Sequence, residues 1–362
     1  MSMTRTRGVL DAAIFDGGWQ RSSRVPRDRK RMISGPTDNF TADEDAGRSR
    51  RYCLITPCRD EAEFARVTLD SVAAQTVRPT LWVIVDDGST DQTPQLLADF
   101  AKQHDWVRVI TRQDRGERKV GGGVVDAFYT GYDTVDPNDF DYVCKLDLDL
   151  ELPEGYFEGL IEKMEANPRL ATVSGKPYMR LHGRLVSELC GDENSVGMTK
   201  FYRTSAFQQI GGFVRQVMWD GIDGHRCRML GWQAQSHDEA ELRFVHLRPI
   251  GTSHKNWWTG RRRHGFGQYF MGTGLAYMTV SCLFRLFHPP VIAGSLAMFW
   301  GYIASMATGV KRYDDPAFRA FLQRYQFACL IEGKSEATAR FDAEGAARWQ
   351  PPRTNARALV QA

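Results

Sequence analysis

Short apolar runs alternate with helix-spaced segments through the first half of the chain, and this alternation restricts the fold more than any other feature. Arg51–Pro57, Leu81–Val85, Val107–Ile110 and Tyr142–Leu146 each have the length and content of a buried strand. Helical spacing fills 61–76, with Phe64, Val67, Leu69, Val72 and Ala73 on the apolar side, then the stretch from Thr90 to about His104, then Val124–Tyr132. Strand and helix in this rhythm make βαβ units and a largely parallel sheet. Ligands of such sheets sit at the carboxyl ends of the strands. Three of those ends carry polar loops, Thr56–Glu61, Asp86–Asp91 and Asp147–Asp149. They are expected to meet in one crevice. From about 155 the pattern is mixed, and Ala171–Ser174, Phe201–Arg203 and Leu242–Val245 are expected to complete the sheet.

The chain has 362 residues, enough for one large α/β domain with an appendage or for two small ones. With 47 basic and 44 acidic side chains the net charge is +3, which offers no general case for nucleic acid. The seven cysteines are dispersed, without a CxxC pair, as expected of reduced thiols in a cytosolic compartment. Cys53 and Cys144 lie in strand-like runs and are expected in the core. Residues 1–50 are polar and Arg-rich, contain no apolar run, and are expected to be a disordered tail, with Met32 as an alternative start. The expected organisation is a catalytic unit over 51–255, with halves at 51–150 and 151–255. Apolar helices follow over 256–312, then a helix and polar tail over 313–362.

Val291–Gly309 is a 19-residue stretch without a charge, between Pro289-Pro290 and Lys311-Arg312. A helix of that length is roughly 28 Å long, near the thickness of a bilayer core. Tyr269–Phe284 is also uncharged and follows Arg261-Arg262-Arg263. Either this is a membrane-embedded or interfacial helical hairpin, or it is a pair of helices buried against the domain. Membrane contact is the expectation.

Asp147-Leu148-Asp149 ends the fourth strand. In extended backbone, residues i and i+2 point to one side, and two carboxylates there suit Mg²⁺ or Mn²⁺ with a diphosphate filling the other positions. Asp86 and Asp87 follow the second strand, where a carboxylate can accept from a base N–H; Ser89, Thr90 and Asp91 equally suit a helix start. Thr56, Pro57, Arg59, Asp60 and Glu61 are expected to flank the same base and ribose. Lys119, ahead of Gly121-Gly122-Gly123, is expected near ribose or phosphate, although the loop lacks the Walker A pattern. Asp220 and Asp223 lie in a Gly- and Asp-rich segment, where an acid could take a proton from an attacking hydroxyl or could belong to an ordinary turn. His246 is a candidate third metal ligand, with Arg248 a phosphate partner and His254 a weaker alternative.

Together these motifs resemble the family 2 glycosyltransferases, which have the GT-A fold. Thr56-Pro57-Cys58-Arg59-Asp60-Glu61 is similar to that family's opening, with Asp60 where Asn is usual. Val85–Asp91 resembles its second signature, Leu146–Asp149 its metal motif, and Tyr202-Arg203 through Ile210-Gly211-Gly212-Phe213 its acceptor-side segment. The resemblance covers roughly 52–250, and the segment 251–274 is similar to bacterial members that build cell-surface glycans. It implies a nucleotide-diphosphate sugar donor, usually a uridine diphosphate sugar, and inverting, metal-dependent transfer to a glycan or lipid-linked acceptor at the cytoplasmic face of the membrane. The family's Glu-Asp pair aligns with Ile222-Asp223, which implies Asp223 as the base and Asp220 as its substitute. The Gln-x-x-Arg-Trp signature of processive polymerases is missing, which implies transfer of single sugars. A nucleotidyltransferase of related fold and a non-catalytic nucleotide-sugar binder at the membrane are the alternatives.

Overall fold

The computed structural model describes residues 50–351, apart from 115, 117–120, 189, 249–256 and 288–290. Its centre is a seven-stranded sheet. Strands β1 (Tyr52–Cys58), β2 (Leu81–Asp86), β3 (Val107–Thr111) and β4 (Tyr142–Leu146) are parallel. Helices α1 (Ala65–Ala73), α2 (Thr93–Ala101) and α3 (Gly122–Tyr132) connect them. β1 is buried at every position, and β4 likewise, because a sheet covered on both faces needs apolar side chains on both. Cys53 and Cys144 are in the core as expected. Pro57 does not end β1: pairing with β2 continues to Cys58 opposite Asp86. α1 starts later than its apolar spacing suggests, and Val67 is 40% exposed rather than packed.

The second half completes the sheet with β6 (Leu170–Ser174), β9 (Thr199–Arg203) and β10 (Gln233–Ser236). The full order is β10-β6-β9-β4-β1-β2-β3, with β9 antiparallel to both neighbours. α4 (Tyr156–Ala166), α5 (Thr204–Gln209) and α6 (Trp219–Met229) complete the two covering layers. A second sheet of β5 (Leu150–Glu151), β7 (Lys176–Leu181), β8 (Arg184–Ser187) and β11 (Arg243–His246) lies in the order β5-β11-β7-β8. This is a mixed α/β architecture around a large, mostly parallel sheet; residues 242–245, expected to complete that sheet, instead supply β11 of the second one, which pairs with strands the sequence pattern did not reveal.

The C-terminal region is helical: α7 (Trp257–Met271), α8 (Leu275–Phe284), α9 (Ala293–Ala307), α10 (Pro316–Glu332) and α11 (Lys334–Ala346). The 19-residue uncharged stretch is only partly one helix. α9 is 15 residues, about 22 Å at helical rise. Among the described residues no helix is long and apolar enough to cross a membrane.

α7 and α9 cross in direct backbone contact. A methyl group on Gly265 would lie 1.9 Å from Met298 O, and one on Gly301 would lie 2.1 Å from Arg262 O. Backbone cannot retreat as a flexible side chain does, so Gly301→Ala should overpack the crossing and cost about 1–3 kcal/mol. Urea denaturation measures this, and a variant as stable as the parent would show that the two helices are not in contact.

Candidate active site

The carboxyl ends of β4, β1 and β2 are neighbours on one edge of the sheet, so the three acidic loops share that edge. The first two are laced together. Asp60 N donates to Ser89 Oγ (2.8 Å), Thr90 N to Asp60 Oδ1 (2.8 Å), Glu61 N to Thr93 Oγ1 (2.8 Å) and Ala62 N to Asp91 Oδ2 (3.0 Å). Asp60 has φ of 53°, a left-handed conformation that Asp and Asn tolerate best among non-glycine residues. Arg59 donates to Asp87 O (2.9 Å) and Asp114 Oδ1 (2.7 Å), and Arg112 pairs with Asp87 at 2.8 Å. Asp86 is fully buried and accepts from Ser89 N at 3.0 Å. Among the described residues its Oδ2 has no hydrogen-bond partner.

Thr56 and Pro57 were expected beside a ligand and are instead core residues. Thr56 is fully buried and accepts from Trp82 Nε1 at 2.9 Å. Pro57 is buried within β1. The glycines after the third strand also serve the protein itself. Gly121 packs on Val217, and Gly122 lies against Arg215 O, where no side chain fits. Lys119 and His254 lie outside the described residues.

Asp147 and Asp149 follow the end of β4 in a bend rather than in extended strand, with Leu148 between them 2% exposed in the core. Their surroundings differ. Asp147 is ion-paired with Lys145, whose ammonium also donates to Gly197 O at 2.8 Å. Asp149 faces His246, with Nε2 3.7 Å from its Oδ2, and Arg248, with Nε at 3.8 Å. The β5–β11 ladder causes this, since His246 pairs with Leu150 and Leu247 N donates to Asp149 O at 2.9 Å. Burial alone would push the Asp149 carboxyl up. The His246 contact and the charges of His246, Arg248 and Lys145 outweigh it and hold the acid below its ordinary range. Burial alone would lower His246, but Asp149 and Glu188 raise it to about 9. Glu188 is fully buried and holds His246 Nδ1 at 3.1 Å, leaving Nε2 aimed at Asp149. Arg248 is ion-paired with Glu61, which ties the β1 loop to the same cluster.

Among the described residues no group of three His, Cys, Asp or Glu stands ready for a metal ion. Asp149 fits one in charge, and His246 would do so once it gives up the proton that its two carboxylate partners hold on it. Mg²⁺ sites at phosphate substrates commonly use one or two protein donors, with phosphate oxygens and water for the rest. An ionised carboxylate beside an imidazole oriented from behind by Glu188 is such a donor set. Asp147 does not join it in this arrangement, because its carboxylate is held by Lys145.

The two candidate bases also differ. Asp223 is 1% exposed. Its oxygens accept from Lys200 Nζ (2.7 and 2.8 Å), Tyr202 OH and Gly224 N (2.6 Å). Burial holds it above the ordinary carboxylate range despite Lys200. A base must reach a substrate proton, and this carboxylate is enclosed. Asp220 is half-buried in the first turn of α6. Its backbone carbonyl is pinned by Lys200 Nζ (2.9 Å) and Asn194 Nδ2 (3.0 Å). Its Oδ2 lies 3.0 Å from where a side chain on Gly197 would begin, and Gly197 is the residue that receives Lys145 from the Asp147 side. Asp220 is therefore the less buried of the two acids, beside Gly197, and Lys200 links its backbone to the carboxylate of Asp223. Sequence reasoning missed Lys145, Lys200 and Glu188. The two lysines had a signal, a cation inside an otherwise apolar strand; Glu188 follows an exposed strand and had none.

Residues 53–209 match the model of Glycosyl transferase family 2. A poly-β-1,6-N-acetyl-D-glucosamine synthase of Staphylococcus epidermidis is 29% identical over 137 residues, 38% of this chain and 31% of that protein. Its counterpart in Staphylococcus aureus strain COL is 26% identical over 137 residues, with the same shares. The chain thus spans less than a third of the length of these relatives. Among solved structures, S. aureus TarS 1–349 superposes with a TM-score of 0.45 at 13% identity, covering 82% of this chain and 90% of that one. The mannosyltransferase PcManGT from Pyrobaculum calidifontis gives 0.44 at 17% identity, covering 82% and 86%.

Proposed function

We propose, from the premise of a glycosyltransferase with a family 2 domain at residues 53–209, that this chain moves a sugar from a uridine diphosphate donor to a hydroxyl of a glycan or lipid-linked acceptor, with inversion. The observation that carries the proposal is the division of labour among the acids on one sheet edge. Asp86 is wholly buried and anchors the β2 loop through Ser89 N, and Asp87 next to it, with a side chain 10% exposed, is the acceptor for a uracil N–H. Asp149 is held ionised beside an oriented imidazole, and Asp220 adjoins Gly197, the residue that also receives Lys145. Relatives named for a polysaccharide of N-acetyl-D-glucosamine support a glycan acceptor.

Asp220 takes the proton of the acceptor hydroxyl. The freed oxygen electron pair forms the new bond to the anomeric carbon as the bond to the diphosphate oxygen breaks on the opposite face. Lys145 and Arg248 place positive charge around the acidic loop, where the leaving diphosphate gathers negative charge. Mg²⁺ or Mn²⁺, held by Asp149 and His246, would supply further neutralisation there.

A thermal-shift screen of nucleotide sugars with and without each cation tests this. A uridine diphosphate sugar should stabilise the protein, and the metal-dependent part should disappear in Asp149→Ala. A donor that binds equally without metal would remove the cation from the mechanism. Release of pyrophosphate instead of nucleoside diphosphate would make the enzyme a nucleotidyltransferase.

A further inference from the structure

We propose that the outer face of the α8–α9 hairpin is a docking surface for an anionic phospholipid bilayer. The hairpin is apolar on both sides. Its inner side, with Met278, Cys282, Met298 and Tyr302, is buried together with Tyr269 of α7. Its outer side carries Val280, Leu283 and Phe287 on one line, exposed by 38, 57 and 84%. Ile292, Leu296 and Trp300 form a second line, exposed by 55, 57 and 57%. Val280 and Leu283 share a face of α8, and Leu296 and Trp300 a face of α9, with Phe287 and Ile292 in the connection between the helices. An apolar patch of this extent marks an interaction surface.

Charge selects the occupant. Residues 257–312 contain six Arg and Lys and no Asp or Glu. Arg285 lies between the two lines in sequence, close enough to Arg261 that its charge, added to burial, pulls Arg261 below its ordinary value. Arg285, between the two lines, together with a segment free of acids is complementary to anionic headgroups above acyl chains. A second copy of this chain would bring another Arg285 against it. Phe287 also protrudes too far for a flat protein contact and suits insertion between lipids.

The surface is rigidly coupled to the candidate base. α7 meets α9 backbone to backbone at Gly265 and Gly301. On its other side, Gly267 packs on Met218 and Met271 reaches Gly221, the residues flanking Trp219-Asp220. A hairpin seated on a bilayer therefore holds the active-site acid at a set position relative to it, as a membrane-borne acceptor requires; this last step rests on the transferase function proposed above.

Sedimentation of the full chain with phosphatidylcholine vesicles, with and without phosphatidylglycerol, tests the docking surface. The protein should pellet with the anionic vesicles and lose binding as salt rises. The triple variant Phe287→Ser, Leu296→Ser, Trp300→Ser should bind at least about tenfold more weakly. It should keep its melting temperature, since these side chains are already exposed. Parent protein left in the supernatant, or a triple variant that binds like the parent, overturns the proposal. So does a concentration-dependent dimer that the triple variant abolishes, which would assign the face to a second copy. Vesicle binding is measured without donor or acceptor, so its failure is distinct from failure of the transferase chemistry.

Discussion

Asp220→Asn should lower turnover by about 100- to 10,000-fold, the usual contribution of a positioned general base, while stability stays within about 0.5 kcal/mol of the parent. The substitution keeps the shape of the side chain and removes its ability to accept a proton as a carboxylate. The backbone hydrogen bonds that Lys200 and Asn194 make to residue 220 do not involve the side chain and should persist. Donor affinity should persist as well, because the donor-side groups Asp87, Asp149 and His246 are untouched. Kinetics therefore separate this variant from Asp149→Ala, which should lose metal-dependent donor binding. Near-normal turnover in Asp220→Asn, with a folded protein, would place the base elsewhere.

Asp223→Ala should act on the fold. Lys200 and Asp223 form an ion pair with 0 and 1% side-chain exposure, and removing one partner leaves the other charge buried without compensation. That typically costs about 3–5 kcal/mol, so the denaturation midpoint should fall sharply. Lys200→Met should cost a similar amount, since it strands Asp223. The double variant Lys200→Met, Asp223→Leu should recover much of the loss, because a buried pair replaced by apolar side chains of similar volume is often neutral. Tyr202, whose hydroxyl also reaches Asp223, limits that recovery. If instead Asp223→Asn folds with parental stability and has no turnover, Asp223 is the base and the roles of the two acids reverse.

The sequence by itself determined the central βαβ frame and the edge on which chemistry is set. Strands buried on both faces must be apolar at most positions, so β1, β2 and β4 were visible as runs despite Thr56, Asp86 and Lys145 within them. Parallel connectivity then forces their carboxyl ends to one side, which brings Asp86, Asp87 and Asp149 together whatever the loops do. Only the tertiary structure decided what each acid can do. Asp220 and Asp223 are equivalent as residue types, and the difference between them is Lys200, which arrives from β9 some twenty positions earlier. Asp147 and Asp149 part company for the same reason, one meeting Lys145 and the other His246 through a two-residue strand too short to leave a pattern. The uncharged stretch 291–309 announced an apolar environment but not its kind. Its inner face finds α7 and its outer face finds no described protein partner, a division that the absence of charge does not show because neither face carries any.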